Sequence, residues 1–188
     1  PSLSLSEAEK AEGKGLLTSA GLNPGNPWVG LAPGAAYGPA KRWPAERFAA
    51  VGDLLKDELQ AELVLLGAPG DQEAAVRVQR LGRGGFINLA GKTTLRQALT
   101  ILSNLKVLIT NDSGLMHAAA ALGTPVVAIF GSTDPAATRP FTSRAALVHH
   151  PLPCGPCIHR TCSLDYASLR AVTVTEVTAA ARRWLEEK

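Results

Sequence analysis

The sequence lacks any apolar run near the roughly 20 residues that a membrane-spanning helix requires. Residues 1–20 also lack the apolar core of a secretory signal peptide. Lysines and arginines do not cluster with aromatic residues, and the net charge is only +3, which argues against a nucleic-acid partner. These absences predict a cytoplasmic protein, and any contact with a membrane is expected to be peripheral.

Cysteine is scarce, and the three residues of this type lie close together. An odd number in a cytoplasmic chain argues against a disulfide framework. Three thiols at the spacing of Cys154, Cys157 and Cys162, with histidines nearby, leave a structural zinc ion or an iron–sulfur cluster as one alternative. The simpler interpretation is a compact loop with reduced thiols, since a second Cys-x-x-Cys pair is missing.

Short apolar segments alternate with amphipathic ones along the chain. A capping box predicts a helix over residues 6–20, and a proline- and glycine-rich break follows at 23–27. Strands are predicted at residues 28–32, 63–66, 86–89, 106–110, 126–130 and 145–148. Helices are predicted between them and at the end of the chain, at residues 44–59, 71–81, 94–104, 115–122 and 175–185. This alternation predicts an α/β domain with a parallel sheet that is covered on both faces.

Residues 110–117, Thr-Asn-Asp-Ser-Gly-Leu-Met-His, stand between a predicted strand and a predicted helix. The first turn of a helix offers unpaired amides and a partial positive charge, so this turn favours a phosphate. Glycine allows the phosphate to approach the backbone closely. An acidic side chain beside an anion site suggests a neutral polyol such as a sugar, and together they predict a nucleotide-sugar ligand.

Polar segments with glycine follow five of the predicted strands. They comprise residues 33–38, 67–71, 90–93, 111–114 and 131–134. Ligands of open α/β sheets bind at the carboxyl ends of the strands, where these segments should lie side by side. Any one such loop is weak evidence, because turns need glycine in any case. Five at one edge indicate a nucleotide cleft.

Residues 33–44, Pro-Gly-Ala-Ala-Tyr-Gly-Pro-Ala-Lys-Arg-Trp-Pro, and residues 110–117 resemble the hallmarks of one bacterial family. That family is the ADP-heptose:lipopolysaccharide heptosyltransferases, glycosyltransferase family nine, and the similarity is greatest to its type II branch. The spacing of the two segments matches, as does Asn-Leu-Ala-Gly at residues 88–91. The resemblance runs from about Trp28 to Leu185 and covers only the C-terminal half of the family.

The resemblance implies a Rossmann-like, doubly wound parallel sheet that forms the C-terminal half of a GT-B glycosyltransferase. Members of the family are inverting and metal-independent, require no cofactor, and build the inner core of lipopolysaccharide. The C-terminal domain holds the ADP-heptose donor, whereas the N-terminal domain supplies the acceptor site and the general base. Residues 1–27 are then expected to be an interdomain linker helix and turn, and residues 28–188 the donor-binding domain. Its partners are the missing N-terminal domain and a lipopolysaccharide core acceptor at the inner face of the inner membrane.

The resemblance also assigns roles to residues of the two hallmark segments. Lys41 is expected to contact the departing diphosphate, where catalysis needs fixed positive charge, although a solvated loop lysine is the alternative. Asp112 is expected to accept hydrogen bonds from heptose hydroxyls, although it could act only as a helix N-cap. Ser113 and Gly114 should donate backbone amides to the phosphates. His117 is expected to contact a phosphate or the sugar, and its alternative is a packed polar residue.

The remaining site residues follow the first three strands. Gly34 belongs to the first hallmark segment, and Gly67 with Asp71 is placed to meet the ribose. Ala90 and Gly91 are expected to offer backbone groups to adenine. Three other functions stay open: a related enzyme that uses another nucleotide-sugar, a nucleotide-binding module that is inactive on its own, and, ranked below these, a metal or redox protein built on the cysteines.

Overall fold

Six parallel strands form one sheet in the computed structural model, which describes residues 2–157 and 159–187. The strands are β1 Trp28–Ala32, β2 Glu62–Leu65, β3 Phe86–Asn88, β4 Val107–Asn111, β5 Val126–Phe130 and β6 Ala145–His149. Their order across the sheet is β3-β2-β1-β4-β5-β6. This is the order of a doubly wound, Rossmann-type sheet, in which the winding reverses between β1 and β4. The predicted fold class is confirmed.

Helices cover both faces of the sheet. They are α1 Glu7–Ser19, α2 Ala45–Leu59, α3 Gln72–Leu81, α4 Leu95–Leu102, α5 Gly114–Ala121, α6 Pro135–Thr138, α7 Ala167–Ala171 and α8 Val174–Leu185. Two short 3₁₀ turns, Pro39–Lys41 and Pro69–Asp71, precede α2 and α3. In the part of the chain that the structure describes, no helix is both long and apolar enough to span a membrane.

The central strands are mostly apolar because both faces of the sheet are buried there. Successive side chains of a strand point to opposite faces, so alternate residues of one strand enter different cores. In β1, Val29 and Leu31 join the core beneath α2, α3 and α8, whereas Trp28 and Ala32 join the core beneath α1, α4 and α5. The central strands β1, β4 and β5 are buried at every position. They therefore form a rigid platform for the loops at their carboxyl ends.

Helix α1 packs tightly against α4. Leu17 of α1 is fully buried, and the Asn104 side-chain amide donates to the carbonyls of Lys10 (2.9 Å) and Thr100 (2.8 Å). A Cβ atom at Gly13 would lie 2.1 Å from the carbonyl oxygen of Thr100, so glycine sets the distance between the two helices. The helix is thus part of the layer that covers the sheet. The assignment of residues 1–27 to an interdomain linker stays a prediction.

The N-cap of helix α8 lies two residues earlier than the sequence pattern indicates. The pattern favours Thr175, with Val174 before it, as the N-cap of the last helix, but the structure places Thr173 there. The reason is a reciprocal capping box: the Glu176 carboxylate accepts from the Thr173 backbone amide at 2.8 Å, and the Thr173 hydroxyl accepts from the Glu176 amide. The residue three positions after Thr175 is a threonine, which cannot complete the box. Hydrogen bonds from the Thr173 amide and hydroxyl hold the pKa of Glu176 below its usual value.

We expect Gly13→Ala to destabilise the protein although alanine favours a helix. The added methyl group would meet the α4 backbone, and such overpacking costs about 1–3 kcal/mol. Gly15 is the matched control, because a Cβ there meets nothing within 4 Å. Gly15→Ala should leave the free energy of unfolding unchanged or raise it by up to about 1 kcal/mol. Urea denaturation of both variants measures this, and equal effects would contradict the packing of α1 on α4.

We expect Glu176→Gln to lower the free energy of unfolding at pH 7. Because the pKa of Glu176 is lowered in the folded protein, its contribution is complete above the unfolded-chain pKa of about 4.3 and is lost as the pH falls through the folded-state value. The difference from the wild-type protein should therefore shrink steadily below about pH 4. Glu12→Gln, an exposed change on α1, is the control and should leave the free energy of unfolding nearly unchanged. Denaturation curves across this pH range measure the difference. A difference that persisted at acid pH would contradict the role of the ionised Glu176 in the capping box.

Candidate functional site

The carboxyl ends of β1 and β4 lie next to each other at the point where the winding of the sheet reverses. Ala32 at the end of β1 is the register partner of Thr110 in β4. The two hallmark segments, residues 33–44 and 110–117, therefore meet although they are far apart in the sequence. Crevices at such reversal points are where doubly wound sheets bind their ligands.

Asn111, the last residue of β4, connects the two segments. Its side chain is fully buried, and its amide donates to the carbonyls of Pro33 (2.8 Å) and Gly34 (3.3 Å). Its side-chain oxygen accepts from the backbone amide of Trp43 at 3.0 Å. The Trp43 indole is in turn buried and donates to the carbonyl of Val172. Asn111 thus satisfies three backbone groups that would otherwise be buried without partners.

Lys41 and Asp112 form an ion pair beside this connection. The ammonium of Lys41 lies 2.6 Å from Asp112 Oδ2, and the two side chains are 13% and 6% exposed. The ammonium also lies 5.0 Å from the centroid of the Tyr37 ring. A solvated loop lysine does not fit this burial. Nor is Asp112 the N-cap of α5, since Ser113 occupies that position.

Asp112 receives two further hydrogen bonds, one from the turn after β5 and one from the end of α6. The Thr133 hydroxyl donates to Oδ2 at 2.8 Å, and the Thr138 hydroxyl lies 3.3 Å from the same oxygen. Sequence reasoning placed residues 131–134 at this edge of the sheet but gave no role to either threonine. The signal is weak in the sequence, because a threonine in a polar turn is common and only the fold brings it to Asp112.

A cavity of about 400 Å³ opens at the carboxyl ends of β1, β2 and β4. Five residues expected at the site line it, namely Gly34, Gly67, Asp71, Ser113 and Gly114. Thr93, Thr94 and Leu95 line it as well, and sequence reasoning missed the last two. Leu95 is 74% exposed, which places an apolar side chain at the mouth of the cavity. The volume lies in the range of small-molecule sites.

Asp71 sits between the loops that follow β1 and β2. One of its carboxylate oxygens accepts from the backbone amide of Ala68 at 3.0 Å. A Cβ atom at Gly34 would lie 2.1 Å from this carboxylate, and one at Gly67 would lie 2.7 Å from Asp71 Cβ. Both glycines are therefore required for the aspartate to occupy its place on the cavity wall.

Helix α5 begins at the cavity, where Ser113 and Gly114 lie. The Ser113 hydroxyl pairs with the Thr110 hydroxyl at 3.1 Å instead of capping the helix. Among the described residues, no side chain accepts from the first amides of α5, which leaves them for an anion. His117 is exposed one turn further along α5 and does not line the cavity.

Ala90 and Gly91 support the cavity from behind rather than lining it. The Gly91 amide donates to the carbonyl of Gly67 at 2.9 Å, and the buried Ala90 donates its amide to the Asn88 side chain. Gly91 has a φ of +68°, and a Cβ there would lie 2.5 Å from the side chain of Gln72. The expected contact of these two residues with adenine stays a prediction.

The cysteine segment packs against the same loops. Cys154, Cys157 and Cys162 are free thiols, and all three line a cavity of about 210 Å³ next to residues 131–134. The backbone amide of Cys157 donates to the Ser132 carbonyl at 2.7 Å. Within residues 2–157 and 159–187, no three histidine, cysteine or acidic side chains are grouped as metal ligands.

Arg160 belongs to this segment and reaches the Lys41 loop. Its carbonyl accepts from the Ala40 amide at 3.1 Å, and its guanidinium lies 5.7 Å from the centroid of the Tyr37 ring. Tyr37 is therefore in contact range of two cations, Lys41 and Arg160. Nothing in the sequence pattern indicated that the cysteine segment would cover this loop.

A sequence profile of glycosyltransferase family 9 (heptosyltransferase) matches residues 1–167. The chain belongs to glycosyltransferase family 9. The resemblance drawn from residues 33–44 and 110–117 is thereby confirmed. Lipopolysaccharide heptosyltransferase 2 of Escherichia coli (strain K12) is 38% identical over 152 residues, which is 79% of this chain and 42% of that protein.

Solved structures show the same family fold. The structure of the Escherichia coli ADP-heptose LPS heptosyltransferase II aligns with a TM-score of 0.85 and 34% identity, over 98% of this chain and 53% of that one. Escherichia coli heptosyltransferase WaaC, solved with ADP, aligns at 0.67 and 22% identity, over 92% and 48%. This family 9 chain spans about half the length of the relatives it matches.

We expect Asn111→Ala to lower the free energy of unfolding by about 3 kcal/mol. The change leaves the Trp43 amide and the Pro33 and Gly34 carbonyls buried without partners. Asn26→Ala is the control, because its half-buried side chain donates one hydrogen bond, to Glu62, and should cost about 1 kcal/mol. Guanidinium denaturation compares the two. Equal losses would mean that Asn111 does not hold the segments together.

Proposed function

We propose that this chain is the donor-binding domain of an inverting, metal-independent heptosyltransferase that transfers L-glycero-D-manno-heptose to the inner core of lipopolysaccharide. The observation that carries the proposal is the Lys41–Asp112 pair, which stands beside the cavity where β1 and β4 end. The similarity to lipopolysaccharide heptosyltransferase 2 supports the sugar, and the related WaaC structure with ADP supports the nucleotide.

The proposed site separates the nucleotide from the sugar. ADP would occupy the cavity, with its ribose near Asp71 and its phosphates at the start of α5. Residues 113–115 line the cavity there, so their amides and the helix dipole meet the diphosphate. An ionised carboxylate accepts hydrogen bonds and donates none, which suits Asp112 to the hydroxyls of the heptose.

Lys41 has the central chemical role in this proposal. Transfer passes through an oxocarbenium-like state while negative charge grows on the departing diphosphate. A preorganised cation beside that charge stabilises the transition state more than the bound donor. Lys41 is held by the face of Tyr37 and by Asp112, which directly precedes the N-cap of α5. The proposal needs no metal or cofactor, because Lys41 and the α5 amides supply the positive field.

The rest of the reaction is assigned to a second domain. In this proposal, the N-terminal half that the curated relatives have supplies the general base and holds the acceptor. Residues 1–27 connect the halves, residues 28–188 bind the donor, and the acceptor lies at the inner, cytoplasmic face of the inner membrane. The isolated chain is then a nucleotide-binding module that transfers nothing by itself.

We expect the chain to bind ADP in preference to UDP and GDP, as measured by calorimetric titration. Lys41→Ala should weaken ADP binding at least about tenfold, because a charge-assisted contact with the diphosphate is lost. Lys106→Ala is the matched control, an exposed lysine that precedes β4 at the opposite end of the sheet, and should bind ADP as the wild-type chain does.

Each outcome of the titration has a distinct meaning. If Lys41→Ala binds ADP as tightly as the wild-type chain does, Lys41 does not contact the diphosphate. Preference for UDP or GDP would keep the fold and replace the ADP-heptose donor with another nucleotide-sugar. If no nucleotide binds, the same titration on a chain that includes the N-terminal half decides whether the cleft needs both domains.

A further inference from the structure

We propose that Thr133 and Thr138 are positioning residues, which anchor one oxygen of Asp112 so that its other oxygen is presented to the sugar of the donor. The inference rests on the function proposed above and adds specificity-determining residues to it. It stands on hydrogen bonds from the turn after β5, which contains Thr133, and from the end of α6, which contains Thr138.

All three described partners of the Asp112 carboxylate meet the same atom. Oδ2 accepts from the Lys41 ammonium at 2.6 Å and from the Thr133 hydroxyl at 2.8 Å, and the Thr138 hydroxyl lies 3.3 Å away. A carboxylate offers about two lone-pair sites on each oxygen, so Oδ2 is saturated. The capacity to accept hydrogen bonds from a ligand therefore rests with Oδ1.

The hydrogen bonds that the two threonines donate to Asp112 differ in strength. A hydroxyl has one proton, and that of Thr138 is shared between Asp112 and the Asp134 carbonyl, which lies 3.2 Å away. Thr133 donates to Asp112 at the shorter distance, so it is the main anchor. The turn itself is held by the Asp134 side chain, which accepts from the Ala136 amide at 2.8 Å and caps α6.

The anchor matters because Lys41 has two anionic partners in the proposed reaction. When Lys41 turns to the diphosphate, its bond to Asp112 weakens, and the threonines still hold the buried carboxylate in place. Without them the carboxylate would follow Lys41 or rotate away from the sugar. Removing the threonine hydroxyls should therefore lower the affinity for ADP-heptose and leave the affinity for ADP nearly unchanged.

The test compares the affinities of ADP and ADP-heptose in the same variants. We expect Thr133→Val to weaken ADP-heptose binding about tenfold, the typical effect of losing a hydrogen bond to a charged group, and to change ADP binding less than about twofold. Thr138→Val should act in the same direction with a smaller effect. Thr133→Ser keeps the hydroxyl and should restore the affinity for ADP-heptose. Thr175→Val, an exposed change on α8, is the control.

The outcomes separate this inference from the function it rests on. If the wild-type chain binds ADP-heptose more tightly than ADP and Thr133→Val lowers both affinities equally, Thr133 is merely structural and the inference is wrong. If Thr133→Val leaves both unchanged, it is wrong as well. If the wild-type protein binds neither ligand even when the N-terminal half is included, the proposed function and this inference are overturned together. If thermal unfolding shows that Thr133→Val does not fold, Thr138→Val tests the inference instead. The quantity compared is again the ratio of the affinities for ADP-heptose and ADP.

Discussion

The side-chain amide of Asn111 joins the carboxyl ends of β1 and β4 through three hydrogen bonds, at a position that solvent does not reach. These hydrogen bonds fix the two hallmark segments, residues 33–44 and 110–117, relative to each other. They set where the loop after β1 leaves the sheet and where Trp43 leads into α2. Lys41 lies two residues before Trp43, and Asp112 directly follows Asn111. The neutral amide that connects the segments therefore also brings Lys41 close to Asp112, where the two form an ion pair.

The charged and the uncharged side chains of the site lie in different places around Asn111. The cavity wall consists mostly of glycines, alanines and leucines, with the hydroxyls of Thr93, Thr94 and Ser113 and the carboxylate of Asp71, whereas the charged pair of Lys41 and Asp112 stands to one side. Such a division suits the proposed ligand, whose base is a flat aromatic ring and whose charge lies on the diphosphate. The cysteine segment is bound to the neighbouring loops, because the Arg160 carbonyl accepts from the Ala40 amide and the Cys157 amide donates to the Ser132 carbonyl.

Much of the fold could be predicted, since its causes are local. The apolar runs of β1, β4 and β5 reflect burial on both faces, and the break at residues 23–27 separates α1 from the sheet. Capping was predictable at α1, where Ser6 and Glu9 form the capping box. It was not predictable at α8, where either of two threonines could be the N-cap and the box with Glu176 forms only at Thr173. The role of Gly13 was invisible, because what it contacts is an α4 carbonyl far away in the chain.

The sequence by itself determined that residues 33–38, 67–71 and 111–114 meet at one edge of a parallel sheet, because alternating strands and helices leave no other arrangement. It also carried the family, through two contiguous segments whose spacing is preserved. Only the tertiary structure decided that Thr133 and Thr138 hold Asp112, that Asp71 fills the space left by Gly34 and Gly67, and that Arg160 lies over Tyr37. These contacts join residues from different loops, and their distances depend on how whole strands pack, which no local pattern records.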